Sequence, residues 1–177
     1  MIKNISNLGD AAVYCDFGDE VNQEINSKVI NYFQNLKESK FEGITNLTPS
    51  YNKLIVSFDL SITNFEKTKK IIENLEIKKN LSTSKKKIQI PVCCEEQYAL
   101  DLKKLERKLN KPTDEILETF FSKEYFCYMT GFIAGMPFLG DIDKNLHAKR
   151  LETPRVKVPK GSIGLTEQFC NIYTFES

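Results

Sequence analysis

Gly131-Phe132-Ile133-Ala134-Gly135-Met136-Pro137-Phe138-Leu139-Gly140 is a run of apolar, β-type residues broken every few positions by glycine or proline. Glycine reaches backbone conformations closed to other residues and proline fixes its own φ, so such a run reads as short strands joined by tight, structured turns. Pro154, Pro159, Gly161 and Gly164 continue the punctuation, and the same texture holds from Tyr125 onward. Immediately upstream the period changes. Leu102, Leu105 and Leu109 mark a short helix, Lys111-Pro112-Thr113 ends it, and Thr113 is placed to cap a second helix through Ile116, Leu117 and Phe120.

The first half of the chain has a different order. Ala11-Ala12-Val13-Tyr14-Cys15-Asp16-Phe17 reads as a strand and Gly18-Asp19 as the turn after it. Val21, Ile25, Val29, Tyr32, Phe33 and Leu36 then recur at helical spacing and need a sheet to cover. Ile44–Leu47 and Leu54–Phe58 pair as a hairpin across Pro49-Ser50-Tyr51-Asn52. Thr63-Asn64-Phe65-Glu66 has capping-box spacing, opening a helix that carries Phe65, Thr68, Ile72 and Leu75. After a lysine-rich stretch from Lys78 to Lys87, the alternation Ile88-Gln89-Ile90-Pro91-Val92 predicts a strand. The expected order is βαββαβ, the ferredoxin-like split unit, with two helices over one face of an antiparallel sheet. The fold class is therefore α+β, with an N-terminal domain over residues 1–84 and a second domain over 85–177. Lys85-Lys86-Lys87 could hold an anion, but a solvated connector is the favoured reading.

Composition removes several classes of function. The 177 residues suit one large or two small domains. With 25 Lys plus Arg against 24 Asp plus Glu, a net charge of +1 gives no general field for nucleic acid or an anionic membrane, so neither is expected as a partner. No apolar run approaches the roughly 20 residues that span a bilayer, and Met1-Ile2-Lys3-Asn4 begins no signal peptide, which points to the cytoplasm. Five cysteines, Cys15, Cys93, Cys94, Cys127 and Cys170, form no C-x-x-C pair and read as reduced thiols, with Cys93, Cys94 and Cys127 expected to be small buried residues. With His147 the single histidine, no metal site and no Cys-His dyad is expected.

Three stretches carry a family resemblance. Gly9-Asp10-Ala11-Ala12-Val13 with Phe17-Gly18-Asp19, and Pro49-Ser50-Tyr51-Asn52-Lys53-Leu54-Ile55-Val56, form the first; the Gly131–Gly140 run, with Ala134 at a usual proline, is the second; Thr153-Pro154-Arg155-Val156-Lys157-Val158-Pro159-Lys160-Gly161-Ser162-Ile163-Gly164 is the third. Together they resemble the family that includes the B subunit of 5-oxoprolinase, the sporulation kinase inhibitor KipI and proteins called allophanate hydrolase subunit 1. The resemblance implies a cyclophilin-like β-barrel from near Ile88 and a component of an ATP-dependent 5-oxoprolinase, which opens 5-oxoproline to glutamate together with subunits C and A. In that reading the assembled complex uses ATP, and this chain alone binds no cofactor, since it has no Walker-type phosphate loop. A KipI-like inhibitor of a sensor histidine kinase, or a component of an allophanate or urea-degrading system, is the alternative. The family continues past Tyr173 with further barrel strands, so a C-terminal truncation is expected, and Gln168-Phe169-Cys170-Asn171 departs from a usual Gln-Thr-Gly.

Candidate binding or interface residues follow, with no catalytic residue assigned. Gly135 and Pro137 could bring backbone N–H groups to an anionic oxygen, or simply form a tight bend. Phe132 and Phe138 are expected in the core, with Phe138 also a candidate for the site. Arg150 and Arg155 offer guanidinium forks for a carboxylate or phosphate, or surface ion pairs with Glu152 or another acid. His147 could shuttle protons or lie at solvent or an interface. Gly161 and Ser162 form a turn in which the serine hydrogen-bonds rather than attacks, because Gly-Ser-Ile-Gly is not a nucleophile elbow.

Overall fold

The computed structural model of the chain describes residues 1–78 and 86–177, so most of the connector expected over Lys78–Lys87, including Lys85, lies outside the described residues. The chain divides into two compact units, Met1–Ser84 and Lys85–Ser177. Both are α+β.

Unit 1 comprises β1 (Asn4–Asn7), β2 (Ala12–Asp16), α1 (Gln23–Ser39), β3 (Ile44–Pro49), β4 (Lys53–Phe58) and α2 (Phe65–Glu73), with an all-antiparallel sheet in the order β1-β2-β4-β3. Alternation along β2 and β4 puts Val13, Cys15, Leu54, Val56 and Phe58 on one face, where they bury with Val29 and Leu36 of α1 and Ile72 of α2. The sheet order differs from expectation in where one edge strand comes from. In a split βαββαβ unit the last strand lies beside the first; here β1 already fills that place through a hairpin closed by the Leu8 N–H donating to the Ala12 carbonyl at 2.9 Å. Ile88–Val92 consequently forms no strand, and Ile88 is 70% exposed.

Side-chain amides set the local geometry of this unit. Asn22 and Asn64 cap α1 and α2 by accepting from the N–H groups of Ile25 and Lys67 at 2.9 and 3.0 Å. The cap of α2 is therefore Asn64 and not Thr63, whose hydroxyl turns inward to meet Thr68 at 3.5 Å. Asn26, buried, donates to the Ser50 and Tyr51 carbonyls at 3.2 and 2.8 Å, and Asn52 to those of Gly18 and Glu20 at 2.7 and 3.1 Å. Lys53 adds an ion pair to Asp16 and a 2.7 Å bond to Gly18 O. These bonds satisfy turn carbonyls that would otherwise lack partners, which gives Phe17-Gly18-Asp19 and Ser50-Tyr51-Asn52-Lys53 an architectural role.

Unit 2 comprises α3 (Leu102–Leu109), α4 (Thr113–Phe121), β5 (Phe126–Thr130), β6 (Pro137–Gly140), a 3₁₀ turn (Lys144–Leu146), β7 (Ile163–Leu165) and β8 (Phe169–Ile172). The strands form an antiparallel sheet in the order β5-β6-β8-β7. Residues paired directly across strands share a face. Leu139, Cys170 and Leu165 therefore pack against Leu102, Leu105, Leu109, Ile116 and Phe120, while Phe138, Asn171 and Gly164 occupy the opposite face. Among the described residues this sheet is open, with β5 and β7 at its edges, rather than a closed barrel. Thr113 is the first helical residue of α4 and not its cap; Glu106 supplies the acceptor for its N–H at 3.2 Å.

Candidate functional site

Register decides which signature residues can meet. Thr130 pairs with Pro137, Phe138 with Asn171, and Ile172 with Ile163, so the 131–136 loop, the Gly161-Ser162 turn and residues 172–174 all lie at one end of the unit 2 sheet. Gly161 N–H donates to Tyr173 O at 2.7 Å, and Tyr173 N–H to Ser162 O at 2.9 Å. The Thr174 hydroxyl then donates to Ala134 O at 2.9 Å. Tyr173 and Thr174 thus bridge the Gly131–Gly140 run and the Thr153–Gly164 stretch, a role no sequence signal reveals.

The glycine requirement is specific here. Gly135 and Gly161 have φ of 72° and 85°, left-handed values that strain a residue with a Cβ. Phe132, also left-handed at 63°, is 80% exposed, contrary to the core position expected of it. Within the loop, the N–H groups of Gly131, Ile133 and Met136 already bond to Met136 O, Gly131 O and Ile133 O. Pro137 has no donor, so an anion at this bend would use the N–H groups of Phe132, Ala134 or Gly135. Phe138 is half-buried in β6.

The remaining candidates lie elsewhere. His147 is at the opposite end of the sheet, where its Nε2 is 3.2 Å from Ile142 O and Ile142 N–H donates to Gln168 O at 3.1 Å. Asp141 also belongs to that end, with a left-handed φ of 66°, its carboxylate accepting from the Tyr128 hydroxyl at 3.0 and 3.1 Å. Burial, with the Asp141 carboxylate beside it, pushes the Tyr128 phenol up in pKa and keeps it a donor. Arg150 is exposed.

Arg155 is held in a fork by Asp101, with Nε to Oδ2 at 3.0 Å and an Nη to Oδ1 at 2.5 Å, so its acid is Asp101 of the α3 N-terminus rather than Glu152. Those hydrogen bonds, opposed by partial desolvation and helped by Lys104, hold Asp101 below the usual carboxylate range. A carboxylate depressed in the folded state stabilises above its unfolded pKa, about 3.9, and loses that contribution as pH falls through the folded value. The melting-temperature difference between wild type and Asp101→Asn is therefore expected to be constant near neutrality and to close below about pH 4. A gap unchanged down to about pH 3 would refute the assignment.

The thiols differ from expectation as well. Cys93 and Cys127 are exposed and Cys94 is half-buried, whereas Cys15 and Cys170 are buried and desolvation pushes each up to about 12. Among the described residues no group of three His, Cys, Asp or Glu side chains could hold a metal, and no helix is long and apolar enough to cross a membrane.

The chain belongs to the family described as carboxyltransferase domain, subdomain C and D, which matches residues 3–177. It is 29% identical over 181 residues to the B subunit of 5-oxoprolinase from Bacillus subtilis (strain 168), covering 96% of this chain and 75% of that protein. TTHA0988 superposes with a TM-score of 0.82 at 22% identity, over 95% of this chain but 33% of that one, so the chain spans about a third of that relative. Kluyveromyces lactis urea carboxylase gives 0.72 at 14% identity, over 96% and 17% of the two chains. Both structural likenesses concern the fold.

Proposed function

We propose that this chain is the B subunit of a cytoplasmic, ATP-dependent 5-oxoprolinase, working with subunits A and C to hydrolyse 5-oxoproline to glutamate. The observation that carries this reading is the identity of 29% to the Bacillus subtilis 5-oxoprolinase component across 96% of the chain. In it, residues 1–84 and 85–177 act as two domains, the first a variant of the ferredoxin-like unit and the second contributing its open sheet to a cyclophilin-like barrel.

The chemistry fits a contributory role. A lactam is a resonance-stabilised amide, and its opening becomes favourable when coupled to ATP consumption by the assembled complex. Nothing described in this chain resembles a nucleophile-base pair, so its residues bind and orient. The Ala134 and Gly135 N–H groups are suited to a carbonyl or developing oxyanion, with Gly161 and Ser162 shaping the neighbouring turn. Arg155 is suited to the carboxylate that 5-oxoproline carries.

Co-expression with subunits A and C, followed by an assay of 5-oxoproline-dependent ADP release and of glutamate formed from labelled 5-oxoproline, tests the proposal. Activity in the assembled complex, and its loss in Arg155→Ala, is expected. Absence of turnover in a verified complex overturns the reading, and turnover of allophanate in its place would move the chain to urea metabolism.

A further inference from the structure

Aspartate is among the preferred residues at a helix N-cap because its carboxylate accepts from the free N–H groups of the first turn. Asp101 occupies that position on α3, where its backbone carbonyl accepts from the Lys104 N–H at 3.0 Å but its carboxylate accepts from no N–H of the first turn. Its carboxylate is turned instead to the Arg155 fork and to Lys104 Nζ, 3.2 Å from Oδ1. Arg155 sits in the stretch between the 3₁₀ turn and β7, where residues 149–157 are all exposed and form no regular structure. Further along, the same stretch is fixed by paired backbone bonds between Val158 and Ser177, at 2.6 and 3.0 Å, and by the Gly161 to Tyr173 bond. The Asp101–Arg155 fork is thus a tie between the Thr153–Gly164 stretch and α3.

Two features make this tie exchangeable. The side chains of Arg155 and Asp101 are 31% and 36% exposed, so a solute carboxylate can reach the guanidinium. Asp101 also has a second partner close at hand, the first turn of α3. A partly exposed ion pair and an N-cap each shift an equilibrium by roughly fivefold, so trading one for the other is close to neutral. We infer that Asp101 is a stand-in carboxylate: a small carboxylic acid takes its place on Arg155, with Lys104 alongside, and Asp101 swings back to cap α3. This rests on the proposed function only in naming 5-oxoproline as that acid; the exchange itself does not.

Asp101→Ser separates the two roles, because serine caps a helix but cannot hold the fork. The Arg155 Nε–H resonance of the full chain is followed by NMR during titration with acetate, then 5-oxoproline, then 2-pyrrolidinone, which lacks the carboxylate. The half-saturating acetate concentration is expected to be about twofold lower in Asp101→Ser than in wild type, because a cap state as populated as the fork leaves Arg155 free about half the time. In wild type the Lys103 amide, in the first turn of α3, should gain hydrogen-exchange protection as acetate is added. Equal acetate midpoints in the two proteins, or no change at Lys103, would overturn the exchange. If acetate exchanges as expected but 5-oxoproline perturbs Arg155 no more than 2-pyrrolidinone does, the exchange stands and the substrate reading falls.

Discussion

Leu54→Ala is expected to destabilise unit 1 by about 3 kcal/mol, within the roughly 2–5 kcal/mol typical of a fully buried leucine truncated to alanine. Leu54 is wholly inaccessible in β4, paired with Cys15 on one side and Pro49 on the other. Its side chain shares a cluster with Val13, Val29, Val56 and Ile72, on two strands and both helices. Backbone pairing on both sides holds those elements apart, so the space left by the isobutyl group has little chance to collapse. The measurement is the denaturant midpoint of the unit 1 transition, which should fall with no change in slope. A loss under about 1 kcal/mol would show that the sheet and helices close the gap.

The second large effect is expected at the final glycine of the Gly131–Gly140 run. A Cβ on Gly140 would lie 2.3 and 2.7 Å from the Tyr128 ring and 3.1 Å from Phe169. Tyr128 cannot easily retreat, since its ring packs edge to face against Phe126 and Phe169, with centroids 4.9 and 6.0 Å away, and its hydroxyl is tied to Asp141. Overpacking of this kind costs about 1–3 kcal/mol, and the anchored ring puts Gly140→Ala at the upper end. For a unit of this size that lowers the melting temperature by on the order of 15 °C. Combining it with Tyr128→Leu should recover much of the loss, because the clash and the large ring are coupled. A double variant no more stable than Gly140→Ala would place the strain elsewhere.

How much of the fold is legible depends on range. The apolar periods of Val29, Leu36, Leu54, Val56 and Ile72 announce their elements because burying one face of a helix or strand imposes that spacing directly. Short-range choices are less visible. Asn64 caps α2 although Thr63 opens the capping-box pattern, since the buried Thr68 offers Thr63 a partner that arrives only with folding. Ile88-Gln89-Ile90-Pro91-Val92 has the alternation of a strand, yet pairing needs a vacant edge, and Asn4–Asn7 holds the one beside β2. Phe132 reads as core because it is apolar, but its left-handed backbone turns it outward.

The candidate site shows the same division. Gly135 and Gly161 stand out by residue type and carry the left-handed turns for which glycine is suited. Their proximity comes through Tyr173 and Thr174, which carry no pattern of their own. Arg155 is marked by its chemistry, while its partner Asp101 lies 54 residues earlier and becomes visible only in space. His147 and Arg155 are equally eligible for one site on residue type, and strand register sets His147 at the other end of the sheet from the signature turns.

By itself, then, the sequence determined an α+β chain, its helices, most of its strands and the residue types able to bind an anion, because these depend on local propensity and one-face burial. Tertiary structure alone decided which strand fills each edge, which turns meet and which acid holds Arg155. Those outcomes are competitions between partners distant along the chain, and a one-dimensional pattern does not encode which partner wins a shared edge or charge.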